Sequence, residues 1–164
     1  MRVVIQRVSR ASVTVNGECV GAVQKGLMLL VGLETEDTIA DVDYCVRKCL
    51  NAKLWPDSKG GSVTGDSPRG RGEWRQSVMD IQGGVLVISQ FTLFGNIKKG
   101  TKPDFHRAMP PGPASELFST FVESMRAAYV RERVQQGVFG GYMTIDMVND
   151  GPVTIIIEST RTTA

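Results

Sequence analysis

The stretch Gly26-Leu27-Met28-Leu29-Leu30-Val31-Gly32 constrains this chain more than any other segment. An unbroken apolar run between two glycines is too short for a helix and has no polar face, so it reads as a fully buried strand. A second run of this kind, Val85-Leu86-Val87-Ile88-Ser89-Gln90, follows after an intervening helical segment. Strands buried on both faces oblige the chain to supply layers that cover them.

Two segments have the period to do so. Residues 38–50 place Ile39, Val42, Val46 and Cys49 near one helical face, and Thr38 with Asp41 has the form of a capping box. Leu117, Phe118, Phe121, Val122, Met125 and Tyr129 mark a second amphipathic helix. The remaining order is strand-like. Residues 2–8 are rich in Val and Ile, and 12–15 alternate. Asn16-Gly17 is a hairpin turn with 18–23 returning, Tyr142–Val148 alternates, Asn149-Asp150-Gly151-Pro152 turns, and Val153–Glu158 returns. Pro56 to Arg75 and roughly 95–113 read as loops, the first exposed and not a linker, since the strands flanking it need each other. The expectation is a single α+β domain over 1–164, mostly antiparallel, with two main helices packed on the sheet and a flexible tail at 160–164.

Length and charge narrow the class. The 164 residues carry a formal charge of +2, 41% apolar and 22% charged side chains, the balance of an ordinary soluble domain. Near-neutral charge speaks against gripping long nucleic acid by charge alone, while leaving room for a local basic patch. No stretch approaches a membrane span, and Met1 to Val8 is too short and interrupted for a signal segment. The three cysteines, Cys19, Cys45 and Cys49, lack the density of a secreted scaffold, so a reduced, cytoplasmic setting is expected.

Several chemistries are disfavoured by the inventory. His106 is the single histidine and lies in a polar loop without a Gly-x-Ser-x-Gly elbow, which leaves a histidine triad little support. Cys45 and Cys49 are one helical turn apart but have no partner pair to complete a zinc site, so they read as small apolar residues. Neither Gly70-Arg71-Gly72 nor Gly137–Gly141 is a dinucleotide or phosphate loop. No metal and no cofactor is expected. Catalysis, if present, would rest on backbone donors, hydroxyls and a shaped pocket.

Two polar segments remain. In Ser89-Gln90-Phe91-Thr92-Leu93-Phe94-Gly95 a buried strand ends in polar groups, which either face a ligand or merely satisfy neighbouring main chain. Asn149-Asp150-Gly151-Pro152-Val153-Thr154 is either a plain hairpin connection or a site for a cis-proline.

At these segments the sequence resembles the D-aminoacyl-tRNA deacylase family. The likeness extends to Met1–Val8, Lys99-Gly100 with Pro103-Asp104-Phe105, and Gly137–Gly140, and so spans nearly the whole chain. The resemblance implies hydrolysis of the ester of D-aminoacyl-tRNA by a barrel-like homodimer with active sites at the subunit interface. It implies a cis Gly151-Pro152 bond whose carbonyls enter the partner's pocket and collide with an L side chain. Glycine has no side chain to clash, so glycyl-tRNA would be a substrate too. Ser89, Gln90, Phe91 and Thr92 would line the pocket for the ester and the 3′-terminal adenosine. Arg7 would brace the Gly-Pro main chain. Phe139, Gly140 and Met143 would wall the adenine, and Lys98, Lys99 and Lys102 would form a basic rim for phosphates. Water is the expected nucleophile, with the amides near Phe91 and Thr92 holding the oxyanion and Thr92 orienting rather than attacking. The segment 58–74, with Arg69 and Arg71, is longer than the family's usual connection and reads as an exposed Arg/Gly-rich loop. The rivals are a deacylase for small L-aminoacyl esters, admitted by a trans Gly-Pro bond, and a non-catalytic nucleic-acid-binding module.

Overall fold

Strand β1, Arg2–Val15, organises the molecule, because three other strands pair with it. The computed structural model describes residues 1–57, 74–98 and 100–159. The expected loop at 58–74 (all but Trp74), Lys99 and the tail at 160–164 lie outside the described residues. Along one edge, β1 pairs antiparallel with β2, Glu18–Val23, and with β3, Gly26–Gly32. Along the other edge it pairs with β6, Thr144–Glu158, over almost its full length. The sheet continues from β3 through β4, Gly84–Ser89, to β5, Val134–Gln136, and these last two pairings are parallel.

Parallel neighbours need a crossover. Helix α1, Ile39–Asn51, makes the first, between β3 and β4, and α2, Pro111–Ala128, the second, between β4 and β5. The result is two helices packed on a mixed, nearly closed, barrel-like sheet, as expected in class, with the antiparallel pairings outnumbering the parallel ones among the described residues.

The double burial of β3 and β4 follows from this arrangement. Leu27, Leu29, Val31, Val85 and Val87 face the helices, where Val42, Cys45, Cys49, Phe118, Phe121 and Met125 close over them. Met28, Leu86 and Ile88 point the other way, against Val8, Ala11, Val13 and Val23 inside the curled sheet. Alternate residues of each strand therefore serve two separate apolar clusters. The first position of β3 admits only glycine: a Cβ on Gly26 would sit 1.9 Å from the main-chain oxygen of Gly84.

Helix α1 starts as the capping-box pattern anticipates, with the Thr38 N–H donating to Asp41 Oδ2 at 2.8 Å. Helix α2 starts at Pro111, where a missing N–H costs nothing.

Three expectations are corrected. Residues 2–8 and 12–15 are one strand, not two. Asn149–Pro152 does not turn a hairpin: Thr144–Glu158 is one strand, paired with β1 from Thr14↔Thr144 to Arg2↔Glu158 with shifts of register on either side of Val8. A hairpin would reverse the chain, whereas here extra residues are looped out of a strand that keeps its direction. The loop at 95–113 is shorter than expected, because α2 already begins at Pro111.

Candidate active site

A cavity of about 550 Å³ opens at the carboxyl ends of β3 and β4. Side-by-side parallel strands expose main-chain groups at these ends, a common place for ligands in sheets with crossover helices. Its floor is Val31 and Ile88, its polar edge Ser89 and Gln90, and its far wall Phe139 and Met143.

The polar edge is held from several sides. The Gln90 N–H donates to Val31 O at 2.8 Å, which fixes the strand end. Phe91–Phe94 then forms one 3-10 turn, and the first N–H groups of such a turn have no partner within it. The turn packs directly on Gly32, where a Cβ would approach Leu93 Cβ to 3.0 Å and Gln90 O to 3.1 Å. Arg2 donates to Leu93 O at 2.6 Å and lies over the Phe94 ring at 5.2 Å, with Arg107 near the same ring at 5.6 Å. Phe94 is buried by these contacts, whereas Phe91 is 58% exposed, its ring edge-on to Phe105 at 5.1 Å.

The Gln90 side-chain amide donates to the Thr92 hydroxyl oxygen. An oxygen that accepts this bond keeps its own proton to offer elsewhere.

The far wall comes from the segment 137–143 that precedes β6. Phe139 packs on Phe118 of α2, 5.6 Å between ring centres. Gly140 has φ +69 with open space where a Cβ would be, and Met143 comes close against Gly137.

Of the residues expected from sequence, the cavity brings together Ser89, Gln90, Phe91, Phe139, Gly140 and Met143. Thr92 lies just beyond, joined through Gln90. Arg7, Gly151 and Pro152 do not line it. They sit at mid-strand in β1 and β6, where Gly151-Pro152 is a cis peptide exposed to solvent. Arg7 meets the residue before this dipeptide: its Nε donates to Asp150 O at 3.3 Å and lies 3.1 Å from Asp150 Oδ2, while Nη1 donates to Leu54 O. Lys98 and Lys102 are exposed on the 95–110 loop. His106 pairs with Asp104 on the same exposed loop, and its hydrogen bonds, backbone N–H first, hold the Asp104 carboxyl below its ordinary range.

Met109, Pro110 and Tyr142, the last 94% exposed, complete the rim and were not anticipated. Nothing in the local pattern of the 95–113 segment distinguishes a pocket wall from a solvated loop. Cys45 and Cys49 are fully buried, and burial pushes the Cys45 thiol up to about 11.

Fold and pocket define an α+β protein with a cavity between the polar end of a buried strand and an aromatic wall. The family model described as D-Tyr-tRNA(Tyr) deacylase matches residues 4–158. A D-aminoacyl-tRNA deacylase of Eremothecium gossypii is 45% identical over 97% of this chain and 99% of its own length. D-aminoacyl-tRNA deacylase 1 of Leishmania major is 43% identical, over 98% and 99%. Among solved structures, that of a protein named c-Myc DNA Unwinding Element Binding Protein superposes with TM-score 0.87 at 43% identity, covering 98% of this chain and 99% of that one. A probable eukaryotic D-amino acid tRNA deacylase shares the fold at TM-score 0.77 and 19% identity, covering 96% and 98%. The chain belongs to the D-Tyr-tRNA(Tyr) deacylase family.

Proposed function

We propose that this protein hydrolyses the ester bond between a D-amino acid and the 3′-terminal adenosine of tRNA, releasing free amino acid and tRNA. The observation that carries the proposal is the full-length family match, joined to a pocket that holds the motif residues Ser89–Phe91 and Phe139–Met143 together. Water adds to the ester carbonyl, and the carbon–oxygen bond to the ribose breaks as that oxygen takes up a proton. The amides of Phe91 and Thr92 stabilise the oxyanion that forms in between. Thr92, whose oxygen accepts from Gln90, directs its proton to the substrate or the attacking water. Among the described residues its hydroxyl bonds to the Gln90 amide, which is not a base that could make it a nucleophile, and a trapped acyl-threonine at position 92 would reverse this assignment.

In this reading the adenine lies against Phe139, Gly140 and Met143, and Lys98, Lys99 and Lys102 meet backbone phosphates. Two copies associate so that Gly151-Pro152 of one reaches the pocket of its partner and rejects L side chains. Apolar exposure on β6 supports this association, since Met147, Val148, Ile155 and Ile156 are exposed along it, Ile156 by 62%, on a long edge strand. Glycyl-tRNA is accepted, for want of a side chain to collide. The substrate places the protein in the cytoplasm. No helix among the described residues is long and apolar enough to cross a membrane.

The test is hydrolysis of D-tyrosyl-, L-tyrosyl- and glycyl-tRNA, with sedimentation for the dimer. Cleavage of the first and third but not the second is the expected result, with Thr92→Ala slower by about 10²-fold or more. Equal cleavage of the D and L esters, or of neither, refutes the proposal. A second reading, binding to duplex DNA, is favoured by the name of the 43%-identical neighbour, a DNA unwinding element binding protein. A formal charge of +2 weighs against it, and a gel shift on duplex DNA beside the deacylation assay separates the two.

A further inference from the structure

Opposite Arg7 the ladder between β1 and β6 breaks. Gln6 pairs with Thr154 and Val8 with Asn149, so Arg7 alone faces Asp150, Gly151, Pro152 and Val153. Residues looped out of a strand have lost their ladder bonds and must be held by something else. The Arg7 guanidinium fills the loop at Asp150. A separate set of polar groups closes its base.

The Asn149 side-chain nitrogen lies 3.2 Å from Val153 O, 3.0 Å from Arg7 O and 2.9 Å from Gln6 Oε1. Val153 is the far end of the looped-out segment, so the first bond ties 149 to 153 and closes the loop into a ring. The second ties that ring to β1. Gln6 Oε1 also accepts from Thr154 Oγ1 at 2.5 Å, which holds β6 where its ladder with β1 resumes. The set has one consistent orientation: all three oxygens around the Asn149 nitrogen are acceptors, so only an NH2 group fits there.

We infer that Asn149, supported by Gln6 and Thr154, is a positioning residue that fixes the Gly151–Pro152 main chain and so sets the stereoselectivity of the reaction. The inference rests on the proposed screening role of that dipeptide. Screening by collision works only as far as the obstacle is stiff, because a main chain free to move by an ångström lets the wrong enantiomer in. Asn149→Asp is nearly isosteric but turns a donor among three acceptors into a further acceptor. Thr154→Val deletes one hydroxyl from the outer part of the same set.

The experiment measures kcat/KM for D-tyrosyl- and L-tyrosyl-tRNA, with hydrogen exchange at the Gly151 and Val153 amides. The ratio of D to L is expected to fall about tenfold in Asn149→Asp and by a smaller factor in Thr154→Val, in step with the hydrogen bonds lost. Exchange should quicken in the same order. Should Asn149→Asp show no cooperative thermal transition, Asn149→Ala and Thr154→Val carry the test. Folded variants that keep the native ratio overturn the inference even when the native protein is fully selective. If the native protein cleaves neither ester, the proposed function fails by itself. Exchange then decides the clamp: faster exchange upholds it as a holder of the loop, and unchanged exchange removes it.

Discussion

Arg7→Lys keeps the charge of the side chain and removes its fork, so it isolates what the guanidinium geometry contributes. Arg7 bridges Leu54 O on one side and Asp150 on the other. Its side chain is only 15% exposed, so water replaces few of these contacts. A lysine ammonium is a single point and can satisfy one side at a time. Hydrogen bonds to charged groups contribute about 1.5–3 kcal/mol each, and leaving a buried carbonyl unpaired adds about 1 kcal/mol. The loss of one side of the bridge therefore amounts to roughly 2–4 kcal/mol. With a urea m-value of about 2 kcal/mol/M, the middle of the usual range, the unfolding midpoint should drop by about 1–2 M at unchanged slope. Combining Arg7→Lys with Asp150→Ala, which keeps the main-chain oxygen, should give a loss smaller than the sum, by on the order of 1 kcal/mol. A midpoint shift corresponding to less than about 0.5 kcal/mol, or strict additivity, would refute the idea that Arg7 spans two segments.

The remaining predictions concern the core, the thiols and acid stability. Phe121, fully buried between α2 and the sheet, should cost about 3–5 kcal/mol on change to Ala, read by urea unfolding, against under 1 kcal/mol expected for an exposed site of the same helix such as Glu116→Ala. At neutral pH an aromatic disulfide reagent should titrate Cys19 alone in the native protein and all three thiols in denaturant, because burial raises the Cys45 and Cys49 thiols well above their ordinary range. Asp80 is held down to about 2, chiefly by the hydrogen bond from Lys53 and then by those of the Ser77 backbone and hydroxyl. A carboxyl lowered on folding stabilises the protein above its unfolded pKa, about 3.9, and ceases to as pH falls through the folded value. The stability difference between native protein and Asp80→Asn should therefore be full at pH 5, mostly lost by pH 2 and gone below it. A difference undiminished at pH 2 would contradict the assignment.

Periodicity is a local property, and what depended on it could be read directly from the residues. The buried runs at 26–32 and 85–90, the helix of 38–50 with its cap, and the apolar face from Leu117 to Met125 each declare themselves within a few residues. The motif residues Ser89–Thr92 and Phe139–Met143 could be named from the family resemblance, and composition disfavoured histidine and dinucleotide chemistry beforehand. Which strands lie side by side is a matter of long-range pairing, and no local pattern specifies it. Only the folded chain shows β6 continuing along β1 on both sides of the looped-out residues, since Asn-Asp-Gly-Pro has the same turn chemistry in a hairpin and in a looped-out strand. β5, at three residues, is too short to carry a period and exists because β4 offers it an edge. The same holds for the cavity: Met109 and Pro110 join its lining where the Met109 N–H donates to Leu33 O just past β3, a contact between distant segments that neither segment encodes alone.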